Sequence, residues 1–189
     1  GPTSTILITV FPTPDVVLNT PNISTCSGDN FSMNINSNIT GTNFTWNHIS
    51  GNTTGGFSDT GIVINQQLIN NSNSTIASAS YQITPFANGC TGSPLNANVS
   101  VKPKPRLTSL LQDSVICSGE NINLIYSSSV SGSKLYSWTT SSTGNISGNN
   151  PQINPSTNNQ VISSITNSGN TPQRIYYYSN LINSGCTSN

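Results

Sequence analysis

Apolar and polar residues alternate along most of this chain, and no window carries a 3.6-residue period. The alternation is clearest at 31–35, 80–86 and 95–101. A period of two turns one face of a strand to a core and the other to water. It predicts strands at 16–18, 31–35, 43–47, 62–64, 74–78, 80–86 and 95–101, and again at 107–111, 122–127, 135–139, 152–154, 160–165 and 174–181. Gly51-Asn52, Gly55-Gly56, Gly148-Asn149-Asn150-Pro151 and Gly169-Asn170 separate them and supply turn chemistry. About seven short strands in each ninety residues is the signature of an immunoglobulin-like sandwich.

The two sets of strands belong to a repeat. Cys26-Ser27-Gly28-Asp29 returns as Cys117-Ser118-Gly119-Glu120, Trp46 as Trp138, and Gly89-Cys90-Thr91 as Gly185-Cys186-Thr187. Tyr81 and Tyr177 stand at the same offset before the second cysteine of each set. Four landmarks in one order, about 91 residues apart, indicate tandem modules. The opening segment TILITVFPTP, from Thr5 to Pro14, echoes ANVSVKPKP, from Ala97 to Pro105: a β-branched alternation closed by Pro-x-Pro. The expected organisation is therefore all-β: residues 1–14 as the last strand of a preceding repeat, 15–104 as repeat 1, and 105–189 as repeat 2 without its final strand. Trp46 and Trp138 are expected in the cores on the third strand of each module. Tyr81 and Tyr177 are expected there on the sixth, as candidates for a tyrosine corner.

Composition narrows the function. Only 5% of residues are charged, the formal net charge is zero, and 32% are apolar, so Asn, Ser, Thr and Gly do the solvating around thin cores. Lys102, Lys104 and Arg106 alternate with Pro103 and Pro105, which makes a stiff connector rather than a phosphate-binding patch. Nucleic-acid binding and membrane insertion are not expected. No signal-peptide pattern opens the chain, which is read as mature or internal.

The whole chain resembles the PKD-like and immunoglobulin-like repeats of very large surface adhesins of Bacteroidetes, exported by the type IX secretion system and including gliding adhesins. Cys-Ser-Gly-Asp/Glu, the Trp of Phe44-Thr45-Trp46 and Tyr136-Ser137-Trp138, the Gly-Cys-Thr turn and the terminal Pro-x-Pro carry the resemblance. It implies tandem antiparallel β-sandwiches of an extracellular stalk and no particular ligand; neighbouring repeats are the expected partners, and surface polysaccharide is a candidate one. The low Asp content departs from calcium-stabilised modules.

Four cysteines in an exported chain read as disulfides. Pairing within modules, Cys26–Cys90 and Cys117–Cys186, would stabilise each by about 2–4 kcal/mol. Yet Cys26 precedes the second strand and Cys90 follows the sixth, which places them at opposite ends of a sandwich, roughly 20 Å apart. Only a shifted strand register would rescue that pairing; the alternatives are a bridge between neighbouring modules, Cys26 to Cys186, with Cys90 and Cys117 left for modules elsewhere, and free thiols.

Catalytic chemistry is thin. His48 is the only histidine and is expected at a strand end on the surface, and Asp15, Asp29, Asp59, Asp113 and Glu120 are scattered. Asp29 and Glu120 suit turn capping. No zinc or calcium spacing exists, and no cofactor is expected. Asn-x-Ser/Thr triplets such as Asn22 and Asn145 are frequent by chance in this composition. Asp113-Ser114-Val115 fits an O-glycosylation pattern at Ser114. Tyr126, Tyr176 and Tyr178 are candidates for a sugar-stacking strip. Three functions compete: a structural stalk of an adhesin, a carbohydrate-binding or spacer module of a secreted polysaccharide-degrading enzyme, and a strand-exchanging filament subunit.

Overall fold

The computed structural model describes residues 1, 3–109 and 114–188. The chain divides into two compact units, Gly1–Asn71 with Ile76–Val101, and Ser72–Thr75 with Lys102–Asn189. All secondary structure among the described residues is strand.

The first unit contains β1 (Val17–Leu18), β2 (Asn22–Cys26), β3 (Asn30–Asn36), β4 (Asn43–Gly51), β5 (Thr53–Thr54), β6 (Asp59–Thr60), β7 (Val63–Gln67), β8 (Ile69–Asn70), β9 (Ala77–Ala87), β10 (Cys90–Thr91) and β11 (Leu95–Lys102). One sheet has the order β1-β3-β7 and the other β2-β11-β9-β4-β6, with β10 folded back on β9. Strict alternation builds the core between them. Phe31, Met33 and Ile35 point inward from β3, and Ala97, Val99 and Val101 from β11. Phe44, Trp46, Ile64, Tyr81 and Ile83 fill the space between. Each fully buried Val or Ile contributes roughly 1.5–3 kcal/mol.

The second unit contains β12 (Asn121–Ile125), β13 (Lys134–Ser142), β14 (Ile146–Ser147), β15 (Gln152–Ser156), β16 (Gln160–Ser164), β17 (Thr166–Asn167), β18 (Ile175–Asn183) and β19 (Cys186–Thr187). Its larger sheet runs β15-β13-β18-β19, and β12 pairs with β16. The duplication extends to register. Trp46 faces Ile83 as Trp138 faces Ser179, and Phe44 faces Pro85 as Tyr136 faces Leu181. The second core is smaller: Tyr126, Tyr136, Trp138, Val161 and Leu181, with Tyr177 only partly buried against it.

Several expected boundaries differ. In place of separate strands at 74–78 and 80–86 there is one strand, β9, which starts only at Ala77 because the Ser72 hydroxyl accepts the N–H groups of Ser74 and Thr75 and holds them in a turn. β2 was not expected. Ile23 is its only large apolar residue, so it carries little alternation, and it lies at the edge of its sheet. The segment expected as strand 107–111 makes only an isolated bridge from Leu107 to Ser128, and residues 110–113 lie outside the described set.

Candidate functional site

The cysteine motifs are turn chemistry. Cys26 O accepts from Asp29 N at 3.0 Å with Gly28 at φ 78°, and Cys117 O accepts from Glu120 N at 3.1 Å with Gly119 at φ 89°. A β-turn with positive φ at its third residue selects glycine. The serine docks each turn on its neighbour: Ser27 Oγ accepts from Asn70 N, and Ser118 Oγ from Asn167 N, both at 3.0 Å. Glu120 reaches back to accept from Cys117 N at 2.8 Å, so this acid caps the turn. The second cysteines leave two-residue hairpins. Asn88-Gly89 (φ 51° and 80°) and Ser184-Gly185 (φ 51° and 84°) join Ala87 to Cys90 and Asn183 to Cys186 in the type I′ manner.

Cys26 and Cys186 are disulfide-bonded, whereas Cys90 and Cys117 carry free thiols. The bridge within the first module, Cys26 to Cys90, is therefore not formed, and geometry explains why. Asn98 N donates to Pro21 O, the Ser27 hydroxyl holds Asn70, and Asn70 Nδ2 donates to Val101 O at 2.7 Å. These bonds put Cys26 beside Val101, opposite Ala77, while Cys90 pairs with Ala87. The eleven residues of β9 separate those ends by roughly 30 Å. Cys186 is buried and Cys117 exposed.

Trp46, Trp138 and Tyr81 are buried in the cores, with Tyr177 half-buried. Tyr81 is not a tyrosine corner. Its hydroxyl donates to the Gln66 side chain at 2.8 Å, and Gln66 is pinned in turn by both backbone groups of Phe57. Burial pushes the Tyr81 phenol up to about 12. Ser163 stands against Tyr177 where Gln66 stands against Tyr81, and burial followed by the nearby Tyr126 raises Tyr177 as well. Trp138 Nε1 donates to Asn150 O at 3.0 Å.

His48 corrects its expectation. It lies inside β4, half-buried, with its ring 5.2 Å from that of Tyr81, and burial lowers its pKa. Its Nε2 is buried without a hydrogen-bond partner, so it packs as an inward residue following Phe44 and Trp46. Its close packing would have been legible only by extending the Phe44, Trp46, His48 alternation past the expected strand end. Sequence reasoning also missed Asp15 as a structural anchor. Its carboxylate accepts from the Ser37 hydroxyl at 2.7 Å and from Asn38 N at 2.8 Å.

The aromatic strip is smaller than expected. Tyr126 is a core residue, stacked on Tyr136 at 6.3 Å and tilted against Trp138 at 5.7 Å. Tyr176 and Tyr178 remain exposed, on one face of β18. Ser114 is exposed beside Val115, and Asp113 of the same motif lies outside the described residues. Among the described residues no group of three or more His, Cys, Asp and Glu could hold a metal ion. Among them, too, no helix is long and apolar enough to cross a membrane.

No curated protein matches the chain. Residues 23–105 match the family model of PKD-like domains. That span runs from Ile23 in β2 through the third-strand Trp46 to Pro105, and so takes in nearly all of the first sandwich. Residues 23–105 are thus similar to PKD-like domains, within a chain whose described secondary structure is all β.

Proposed function

We propose that the chain is a stretch of the structural stalk of a large bacterial cell-surface adhesin, of the kind exported by the type IX route and used for attachment and gliding. Its repeats are bounded by the Pro-x-Pro connectors, as 1–14, 15–104 and 105–189, and its first partners are neighbouring repeats. The observation that carries the reading is the cysteine state. Disulfides persist outside the reducing cytosol, and here the first cysteine of one repeat and the second cysteine of the next are oxidised while Cys90 stays a thiol. Bridging from repeat to repeat, Cys26 to Cys186, would add a second covalent path beside the connector and let the stalk bear load.

Peptide mapping under non-reducing conditions tests it. A 26–186 linked peptide that disappears on reduction is expected, together with a scattering profile that becomes more flexible when the bridge is cut. Linked 26–90 and 117–186 peptides would overturn it. Exposed Ser114 is proposed as an acceptor for an O-linked glycan, which intact mass on material from the native producer would reveal. A second reading, carbohydrate binding by the module, is favoured only by the exposed Tyr176 and Tyr178 pair. Unchanged retention of a Tyr176→Ala, Tyr178→Ala variant on polysaccharide affinity gels would dispose of it.

A further inference from the structure

The two sandwiches differ at one inward position, and the difference opens a cleft in the second. Phe31, five residues after Cys26, pairs across the sheet with Gln66. Ile122, five residues after Cys117, pairs with Ser163, so Gln66 and Ser163 are equivalent. Both are buried, at 4% and 5% exposure. In the first sandwich the Gln66 carboxamide closes the gap between β7 and the segment before β6. Its Nε2 donates to Phe57 O at 2.8 Å, and its Oε1 accepts from Phe57 N at 3.1 Å and from the Tyr81 hydroxyl at 2.8 Å. Serine has no carboxamide and cannot reach as far.

Around Ser163 lies a cleft of about 260 Å³, walled by Trp138, Asn150, Gln152, Asn158 and Gln160 among others, and none of its lining residues is charged. Asn150 takes the place of Phe57: each stands two residues before the strand partner of its module's tryptophan, Gln152 or Asp59. Asn150 O accepts from Trp138 Nε1 at 3.0 Å, and a carbonyl oxygen has a second lone pair to offer. The walls are braced against collapse. Gln152 Nε2 donates to Tyr136 O at 2.7 Å, Asn158 Nδ2 to Gln152 Oε1 at 3.3 Å and Gln160 Nε2 to Asn123 Oδ1 at 2.7 Å. At the back of the cleft the Ser163 and Tyr177 hydroxyls stand against each other, and both are buried without a hydrogen bond of full geometry. Buried hydroxyls are ordinarily satisfied, so this pair marks a missing polar partner.

We infer that this cleft receives the carboxamide of a glutamine side chain presented by a partner protein, seated as Gln66 is seated in the first sandwich. The ligand's Oε1 accepts from the Ser163 hydroxyl, which in turn accepts from Tyr177, and its Nε2 donates to Asn150 O. Three features select this ligand. The cleft lies where the equivalent residue of the first sandwich is itself a carboxamide. Its neutral walls give a glutamate carboxylate no counter-charge for the water it would lose. They offer none to the α-ammonium and carboxylate of free glutamine either, so the side chain must arrive on a peptide. Walls held in place before binding leave less ordering to oppose it. The inference goes beyond the stalk reading and does not rest on it.

The test is a nuclear magnetic resonance titration of the isotope-labelled full chain with the blocked peptide acetyl-Gly-Gln-Gly-amide. Saturable shifts are expected at the Trp138 indole and the amides of residues 150–152 and 158–163, with a Kd on the order of 1 mM for a single anchored side chain. The matching glutamate peptide at neutral pH should bind at least about tenfold more weakly. Ser163→Gln should abolish the shifts, because its own carboxamide takes the seat, while thermal unfolding holds or rises. Ser163→Ala keeps the cleft but loses the hydroxyl, and should weaken binding about fivefold even if the longer side chain proves disruptive. A cleft that holds only water gives no saturable shift and overturns the inference. Equal binding of the glutamate peptide overturns it too, as does binding unchanged in both Ser163 variants. Saturation by N-acetylglucosamine without any by the glutamine peptide would make this a sugar site instead, and the inference would fall.

Discussion

At the residue scale, backbone space decides more than side-chain chemistry. A Cβ on Gly92 would stand 1.8 Å from Pro14 O and 2.7 Å from Pro85 Cγ, and the carbonyl is backbone that cannot swing aside. Gly92→Ala should therefore cost about 1–3 kcal/mol, seen as a lower urea midpoint at unchanged slope. Gly119→Ala meets no atom within 4 Å but keeps φ at 89°, so its expected cost is only about 1–2 kcal/mol. Tyr81 makes a pH prediction. Its folded pKa, about 12, lies above its unfolded value of 10.0. Unfolded chains then lose this proton first as pH rises, and stability should fall between pH 10 and 12. Tyr81→Phe should flatten that decline in the unfolding of the first unit, while costing about 0.5–1.5 kcal/mol at neutral pH for the lost bond to Gln66.

At the element scale, β11 supplies one wall of the first core through Ala97, Val99 and Val101. Val99→Ala there, at 0% exposure, should destabilise by about 2 kcal/mol, whereas Ile153→Ala on β15, at 69% exposure, should change the denaturation midpoint hardly at all. The segment leading into β1 is held differently, by the hydrogen bonds that Asp15 accepts from Ser37 and Asn38. These bonds, that of Ser37 foremost, lower the Asp15 pKa. Its contribution is present above the unfolded value near 3.8 and is lost as pH falls through the lower folded value. Acid unfolding of Asp15→Asn should accordingly be shallower than that of the parent. The strands themselves were readable wherever alternation ran through several large apolar residues, as in β3, β9 and β11. β2 escaped notice because one isoleucine does not make a period. The start of β9 was misplaced because a serine hydroxyl, not hydropathy, ends the preceding turn.

At the scale of the whole molecule, two cores of unequal size in one chain should unfold separately. The second unit, with the smaller core and the half-buried Tyr177, should melt first. Single-tryptophan variants, Trp46→Phe and Trp138→Phe, would assign the transitions: the chain retaining Trp138 should report the lower one. Coincident transitions in both variants would contradict this.

The sequence by itself determined the all-β class, the duplication and the burial of Trp46, Trp138 and Tyr81, because each follows from local periodicity or from order along the chain. Turn positions of Gly28, Gly89, Gly119 and Gly185 were legible for the same reason, since positive φ selects glycine whatever surrounds it. Tertiary structure alone decided which cysteines are oxidised and that His48 and Tyr126 turn inward. These depend on which end of a sheet a residue reaches and on what packs across from it, and spacing along a chain carries neither.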